Sequence, residues 1–335
     1  LAIDAPARAA ANSELAASRS GYFPRLDVEQ SVLGGNNPVY VFGTLLTQRH
    51  FTAADFALPS LNTPDALGNL QTRVLAQQNI WDFGRTRQRV EAARIGIEMT
   101  DLGHEDHLRQ TLLAVIEAYY SVSLSREALE TADAALQSSE AIVNQAKSRV
   151  ESGLAVEADL LRSQVYLASA RQQLIQARGQ RELARAVLNR LMGDTLDHAF
   201  GETASLTPAT YTLPAEDALL AELRKRRPDY QRLQAEVRQA ELEVHSRHTQ
   251  FLPTLGAFAA WEADNPSFKE AGGSNWTAGL SLRWNVFAGG SDSAMLQAAR
   301  HRMEQKQRQL KAMESAMALE VHKALIQVQS AEQQV

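Results

Sequence analysis

Between Arg85 and Val150 the chain has no proline, and Leu108, Val115, Val122, Leu129, Leu136, Val143 and Val150 recur at every seventh position. A seven-residue apolar repeat is the period of a helix that keeps one seam facing a partner. At 1.5 Å per residue this stretch predicts a single helix of roughly 100 Å, longer than a globular domain accommodates. Three residues beyond each seam position stands a small residue: Thr111, Ala118, Ser125, Ala132, Ser139 and Ala146. Large residues at both seam positions favour a narrow rope. A large/small seam lets helices approach closely around a wider cylinder, so the pattern predicts the wall of a helical barrel.

The run is interrupted at Ser152-Gly153-Leu154, where glycine marks a helix end and predicts a hairpin tip. Beyond it Leu160, Leu167 and Leu174 resume the spacing, with Ser163, Ala170, Ala177 and Ala184 as small partners, until Met192-Gly193-Asp194. The second helix is expected to return antiparallel to the first. Residues 194 to 215 show no periodicity and read as a connector, after which Pro228-Asp229 opens another helix running to about Gln250.

Period-two alternation occurs in two places. In the second half Trp276, Ala278, Leu280, Leu282, Trp284 and Val286 alternate with polar or small residues, preceded by a shorter partner, Leu255, Ala257, Ala259 and Trp261. In the first half Leu70, Thr72, Val74, Ala76 and Ile80 alternate with Gln71, Arg73, Gln77 and Asn79, and Leu26, Val28 and Val32 with Arg25, Asp27, Glu29 and Ser31. Each half therefore carries one predicted β-hairpin, spanning 22–83 and 251–287. A shift of 206 residues lays Asn79-Ile80-Trp81 on Asn285-Val286-Phe287, Gly84 on Gly290 and Ala92-Ala93-Arg94 on Ala298-Ala299-Arg300, and the register continues to Val122 on Val328. The halves read as an internal repeat, 1–193 and 229–335, joined by a connector at 194–228. The first hairpin has a longer loop, roughly Gly34 to Gly68.

The fold class that follows is mainly α with a small β part: long antiparallel helices and two hairpins contributing four strands. Four amphipathic strands leave two open edges, and in lipid every backbone donor and acceptor needs a partner. Three copies would supply twelve strands, an even number in the range of outer-membrane barrels. The four tryptophans, Trp81, Trp261, Trp276 and Trp284, lie in or at the ends of predicted strands, where indole favours a membrane interface. The plainer reading of the same residues is a soluble sandwich with buried tryptophan.

Composition narrows the partners. With 44% apolar but only 6% aromatic residues the chain has the make-up of long helices. A net charge of −5 and a pI near 6.0 provide no pull towards nucleic acid. The absence of cysteine excludes disulfides and thiolate chemistry. The longest nearly apolar stretch, Val39 to Leu46, has about eight residues against the roughly 20 that a spanning helix needs. Leu1 to Ala11 lacks the basic and apolar segments of a secretory signal, which leaves open a cytosolic, processed or shortened chain.

No chemistry of catalysis emerges. The pairs His104/His107 and His245/His248 have the spacing to share a metal on one helix face, but their polar surroundings read as solvated surface, so no metal site is expected. Gly34-Gly35, Gly272-Gly273 and Gly289-Gly290 lack a following Lys-Ser/Thr and fit turns, so no nucleotide or other cofactor is expected. Glu151, Glu157 and Asp159 cluster near the tip, as candidate tunnel-mouth carboxylates or as an ordinary charged helix end.

The order of segments resembles the TolC-like outer-membrane efflux proteins, the outer-membrane factors of tripartite pumps. The resemblance is carried by residues 37–43 (NPVYVFG), 152–159 (SGLAVEAD), 227–230 (RPDY), 251–253 (FLP) and the strand-to-helix turns 81–84 (WDFG) and 287–290 (FAGG), and it covers essentially the whole chain. It implies a homotrimer whose β-barrel sits in outer-membrane lipid and continues as an α-helical tunnel into the periplasm. It further implies a passive exit duct of a tripartite efflux or type I secretion system, not an enzyme. The tip, Ser152, Gly153, Leu154 and Ala155, would dock a periplasmic adaptor protein and through it an inner-membrane pump. In that family the helix of residues 291–335 folds back through a second tip carrying gate residues, which lie outside this sequence. Rival readings are a soluble coiled-coil scaffold, which leaves the hairpins unexplained, and a stand-alone diffusion porin, which leaves the long helices unexplained.

Overall fold

The computed structural model describes residues 4–201 and 213–334. The connector's residues 202–212 therefore lie outside the described residues. In chain order the elements are α1 (Asp4–Ser18), β1 (Arg25–Gly35), α2 (Pro38–Thr47), α3 (Leu58–Asn62), β2 (Leu67–Trp81), α4 (Arg85–Glu151), α5 (Glu157–Met192), α6 (Glu216–Arg226), α7 (Pro228–Thr249), β3 (Thr254–Asn265), β4 (Gly273–Arg283) and α8 (Ser291–Gln334). They form two compact units, each drawing on both halves of the chain: His104–Leu223 with Ala318–Val335, and Ala2–Gly103 with Arg224–Met317.

In the first unit the seven-residue seam holds the packing. Ala118 and Val122 of α4 and Ala184 and Leu188 of α5 form a buried cluster, with Val115, Leu191 and Phe200 packed against it. All four predicted small partners on α5, Ser163, Ala170, Ala177 and Ala184, are buried, whereas Leu108 at the start of the seam is half exposed. α5 ends as predicted at Gly193, whose φ of 79° permits the amides of Gly193 and Asp194 to bond the carbonyls of Arg190 and Asn189.

In the second unit the two hairpins join into one antiparallel sheet of order β1-β2-β3-β4. The alternation sets its faces. One face carries Leu26 and Val28, Val74 and Ala76, Ala257, Ala259 and Trp261, and Trp276, Ala278, Leu280 and Leu282; the opposite face carries Glu29, Arg73 and Glu262 in register, with an Arg73–Glu262 ion pair of 3.0 Å joining the hairpins. A bulge between Asn79 and Trp81 inserts Ile80 and places Trp81, not Ile80, opposite Leu255. Strict alternation had placed Ile80 on that face; the extra residue resets the register. β4 stops at Arg283, short of the expected Val286.

The loop from Gly34 to Gly68 has structure that its lack of periodicity hid. Asn37 caps α2 by accepting from the amides of Val39 and Tyr40, with Pro38 in the first turn. Behind α2, Phe51 stacks edge-on with Phe42 and Phe56. Gln48, 1% exposed, donates from Nε2 to Gly68 O at 2.9 Å and Asn69 Oδ1 at 3.0 Å, and Asn69 donates to buried Asp264 at 2.7 Å. Within the connector, α6 was not expected.

Where β2 gives way to α4, Phe83 and Gly84 take φ values of 53° and 84°; before α8, Gly289 and Gly290 take 61° and 83°. Asp82 accepts from the amide and hydroxyl of Thr86 at 2.8 and 2.6 Å and from the amide of Gly84 at 3.0 Å. Burial opposes ionisation of Asp82, but these bonds from Thr86 and Gly84, with Arg85 nearby, hold its carboxyl below the ordinary value.

Candidate functional site

Two features carry chemistry that reaches beyond the chain, and each lies within its own unit. The first is the α4–α5 tip. α4 ends in a reversal in which Leu154 N donates to Arg149 O at 2.8 Å and Gly153 N to Val150 O at 3.0 Å, the paired bonds of a Schellman cap. Gly153 holds φ at 73°, a left-handed value that glycine adopts without a Cβ clash. Ser152 donates from its hydroxyl to Ser148 O at 2.8 Å, so its side chain serves the cap. Leu154 is 80% exposed and Val156 62%, leaving two apolar side chains in water at a turn the backbone has already closed. Ala155 is half-buried.

Glu151, Glu157 and Asp159 are exposed around the tip. Glu157 and Asp159 stand in the first turn of α5, where carboxylates favour the positive end of the helix dipole. Asp159 also lies 4.0 Å from Arg162. Among the described residues no group of three or more His, Asp or Glu side chains could hold a metal. His245 is engaged with the Glu241 carbonyl at 2.9 Å, and His104 and His107 have partners of their own.

The second feature is the apolar face of the sheet. Trp81, Leu255 and Leu282 form its row nearest the helices, and Val28, Val74, Trp261 and Trp276 form a row six residues along β3. At about 3.4 Å per residue these tryptophan levels are roughly 20 Å apart along the strand. Between them only Gln78 is polar; beyond the second level the face continues with Gln30, Thr72, Ala263 and Ser274. Trp81, Trp276 and Trp284 are more than half exposed. Trp81 packs edge-on against Phe83, and the Trp284 indole, just past β4, donates to Phe251 O at 3.0 Å. Lipid-facing surfaces of membrane β-barrels have this composition, an apolar band flanked by aromatic rings. Among the described residues β1 and β4 each have one edge without a strand beside it.

Sequence reasoning located these residues and singled out Arg227-Pro228-Asp229-Tyr230 as a segment, but not the contact that anchors it. Arg227 pairs with Asp229 at 2.8 Å, and buried Tyr230 donates to Glu314 at 2.8 Å. Pro228 signals the helix start; nothing local in the sequence points to Glu314, 84 residues away.

The family model described as outer membrane efflux protein matches residues 4–194 and 219–335. The alkaline protease secretion protein AprF of Pseudomonas aeruginosa is 29% identical over 241 residues, 68% of this chain and 48% of AprF. Protein CyaE of Bordetella pertussis is 25% identical over 248 residues, 72% of this chain and 52% of CyaE. The chain thus spans about half the length of the curated relatives it matches. The outer membrane protein VceC of Vibrio cholerae superposes with a TM-score of 0.80 at 17% identity, covering 98% of this chain and 75% of VceC.

Proposed function

Because the chain belongs to the outer membrane efflux protein family, we propose that it is a subunit of an outer-membrane exit duct for an efflux or type I secretion system. The observation that carries this reading is the four-stranded sheet: an apolar band between two tryptophan levels, with a polar opposite face and two free edges. In lipid those edges require partners. Three copies pairing β4 of one with β1 of the next close a barrel of twelve strands around a polar lumen.

The helices support the same assembly. Leu112, Ile116, Tyr120 and Leu124 on α4 and Leu161, Val165, Ile175 and Leu183 on α5 lie exposed outside the seam that packs α4 on α5. Neighbouring subunits supply the surface that covers them. The two halves, 1–193 and 229–335 around the 194–228 connector, are one repeated unit. Matching left-handed backbone at Phe83-Gly84 and Gly289-Gly290, related by the 206-residue shift, supports that relation.

In this reading the tip of Ser152, Gly153, Leu154 and Ala155 docks a periplasmic adaptor, and Glu151, Glu157 and Asp159 surround the tunnel mouth. The Gly34–Gly68 loop faces the cell exterior. Protein export is the cargo class that the name of AprF supports. A deletion strain carrying the full-length gene on a plasmid tests the function. Deletion is expected to reduce export of secreted proteins, or to raise sensitivity to drugs or metal ions, and the plasmid to restore it; a deletion silent in all three assays contradicts the proposal.

A further inference from the structure

On the polar face of the sheet, charge is sorted along the strands. Towards the far end lie three carboxylates, Glu29, Glu262 and Asp264, against two guanidinium groups, Arg73 paired with Glu262 and Arg49 donating to Ser274 O at 2.8 Å. At the end nearest α4 a cavity of about 610 Å³ is lined by Arg25, Arg89 and Arg283 together with Gln77, Asn79 and Ser281, and by no carboxylate. Arg25 reaches out of this set to Asp27 at 2.9 Å. The guanidinium groups of Arg89, from the first turns of α4, and Arg283, from the end of β4, have no hydrogen-bond or ion-pair partner among the described residues, although Arg89 also borders a second cavity that contains Glu236 and Glu243. Phe258 lies over Gly279, where an added Cβ would stand 3.1 Å from the ring, and provides the cavity with an apolar wall.

Uncompensated guanidinium groups beside an apolar wall raise the local potential above that of the same charges in open water. Guanidinium presents a planar fork of donors that matches carboxylate and phosphate oxygens, and the amides of Gln77 and Asn79 and the hydroxyl of Ser281 add neutral donors at the same place. We propose that this cavity is an anion site which, repeated in each subunit, forms a ring at the junction of sheet and helices that holds the carboxylate or phosphate groups of solutes in transit. The inference rests on the reading of the polar face as a channel lumen. Its consequence is that the junction favours anions while the far end of the barrel favours cations.

The full-length protein in planar lipid bilayers under a KCl gradient at low ionic strength tests it. Wild-type channels are expected to lose chloride current when millimolar inorganic phosphate is added. The R89Q/R283Q variant is expected to keep its unit conductance class, to lose the phosphate effect, and to lower the chloride-to-potassium permeability ratio by about twofold or more. R89K/R283K, which retains the charge, is expected to stay near wild type in the permeability ratio. Channels that conduct but ignore phosphate, or whose permeability ratio is the same in wild type and the glutamine variant, overturn the anion site and leave the channel reading standing. A full-length protein with no conductance overturns both.

Discussion

The Tyr230 hydroxyl donates a 2.8 Å hydrogen bond to Oε1 of Glu314, fixing the start of α7 to the body of α8. Burial, then the Glu314 hydrogen bond and charge, push the phenol's pKa up. A hydrogen bond to a charged partner contributes about 1.5–3 kcal/mol. Tyr230→Phe is therefore expected to lower the melting temperature of the full-length protein, and Glu314→Gln, which keeps an acceptor, to lower it less. Because the folded pKa is raised, the contribution is in place below about pH 10 and disappears as pH rises through the folded value. A wild-type advantage over Tyr230→Phe that persists undiminished above that value would assign the effect to packing.

Asp82 offers the opposite sign. Its carboxylate caps the first turn of α4 through Thr86, and Asp82→Ala is expected to cost about 0.5–2 kcal/mol at neutral pH. The folded pKa is depressed, so the stabilisation is complete above the ordinary value near 3.9 and is lost as pH falls through the lower folded value. Melting curves of wild type and Asp82→Ala should converge at the acid end of that range. Curves that stay equally far apart through pH 2 would contradict the assignment.

Periodic features were legible in the sequence, and aperiodic or long-range ones were not. The α4–α5 seam was readable because repeated burial leaves a repeated residue type, as Ser163, Ala170, Ala177 and Ala184 show. The tip glycine was readable because Gly153 must take a positive φ. The Ile80 bulge escaped, since nothing local distinguishes one extra residue from continued alternation. α2 escaped for a different reason. Asn37-Pro38 is a helix-start signal, but a ten-residue, nearly all-apolar helix is too short and too uniform to show a repeat. Tyr230–Glu314 is a tertiary contact between separate helices and leaves no spacing to read.

The loop ahead of β2 gives a topological test. Asn62, exposed at the end of α3, is expected to accept an inserted epitope that antibody reaches on intact cells. Binding seen only after the outer membrane is permeabilised would reverse the orientation.

At the tip, Leu154 is exposed on a turn already closed by backbone hydrogen bonds, so its side chain is not needed for the reversal. Burying it against an adaptor would recover up to about 1.5–3 kcal/mol. Leu154→Asp is expected to assemble and insert normally but to lose adaptor cross-linking and transport. Wild-type transport by this variant, or loss of the assembly along with transport, would remove the docking role.

The central claim is that β4 of one copy pairs with β1 of the next and that the ring closes at three. These 335 residues hold no cysteine, so paired substitutions, one within 25–35 and one within 273–283, made with any cysteine elsewhere in the full-length protein replaced, report on that edge. Oxidation of the full-length protein in native outer membranes, across a scan of such pairs, is the direct measurement. The account predicts a ladder of dimer and trimer on denaturing gels that ends at a closed trimer for the pairs in register; only monomers at every pair, or a ladder that stops at dimer or continues past three, would contradict it.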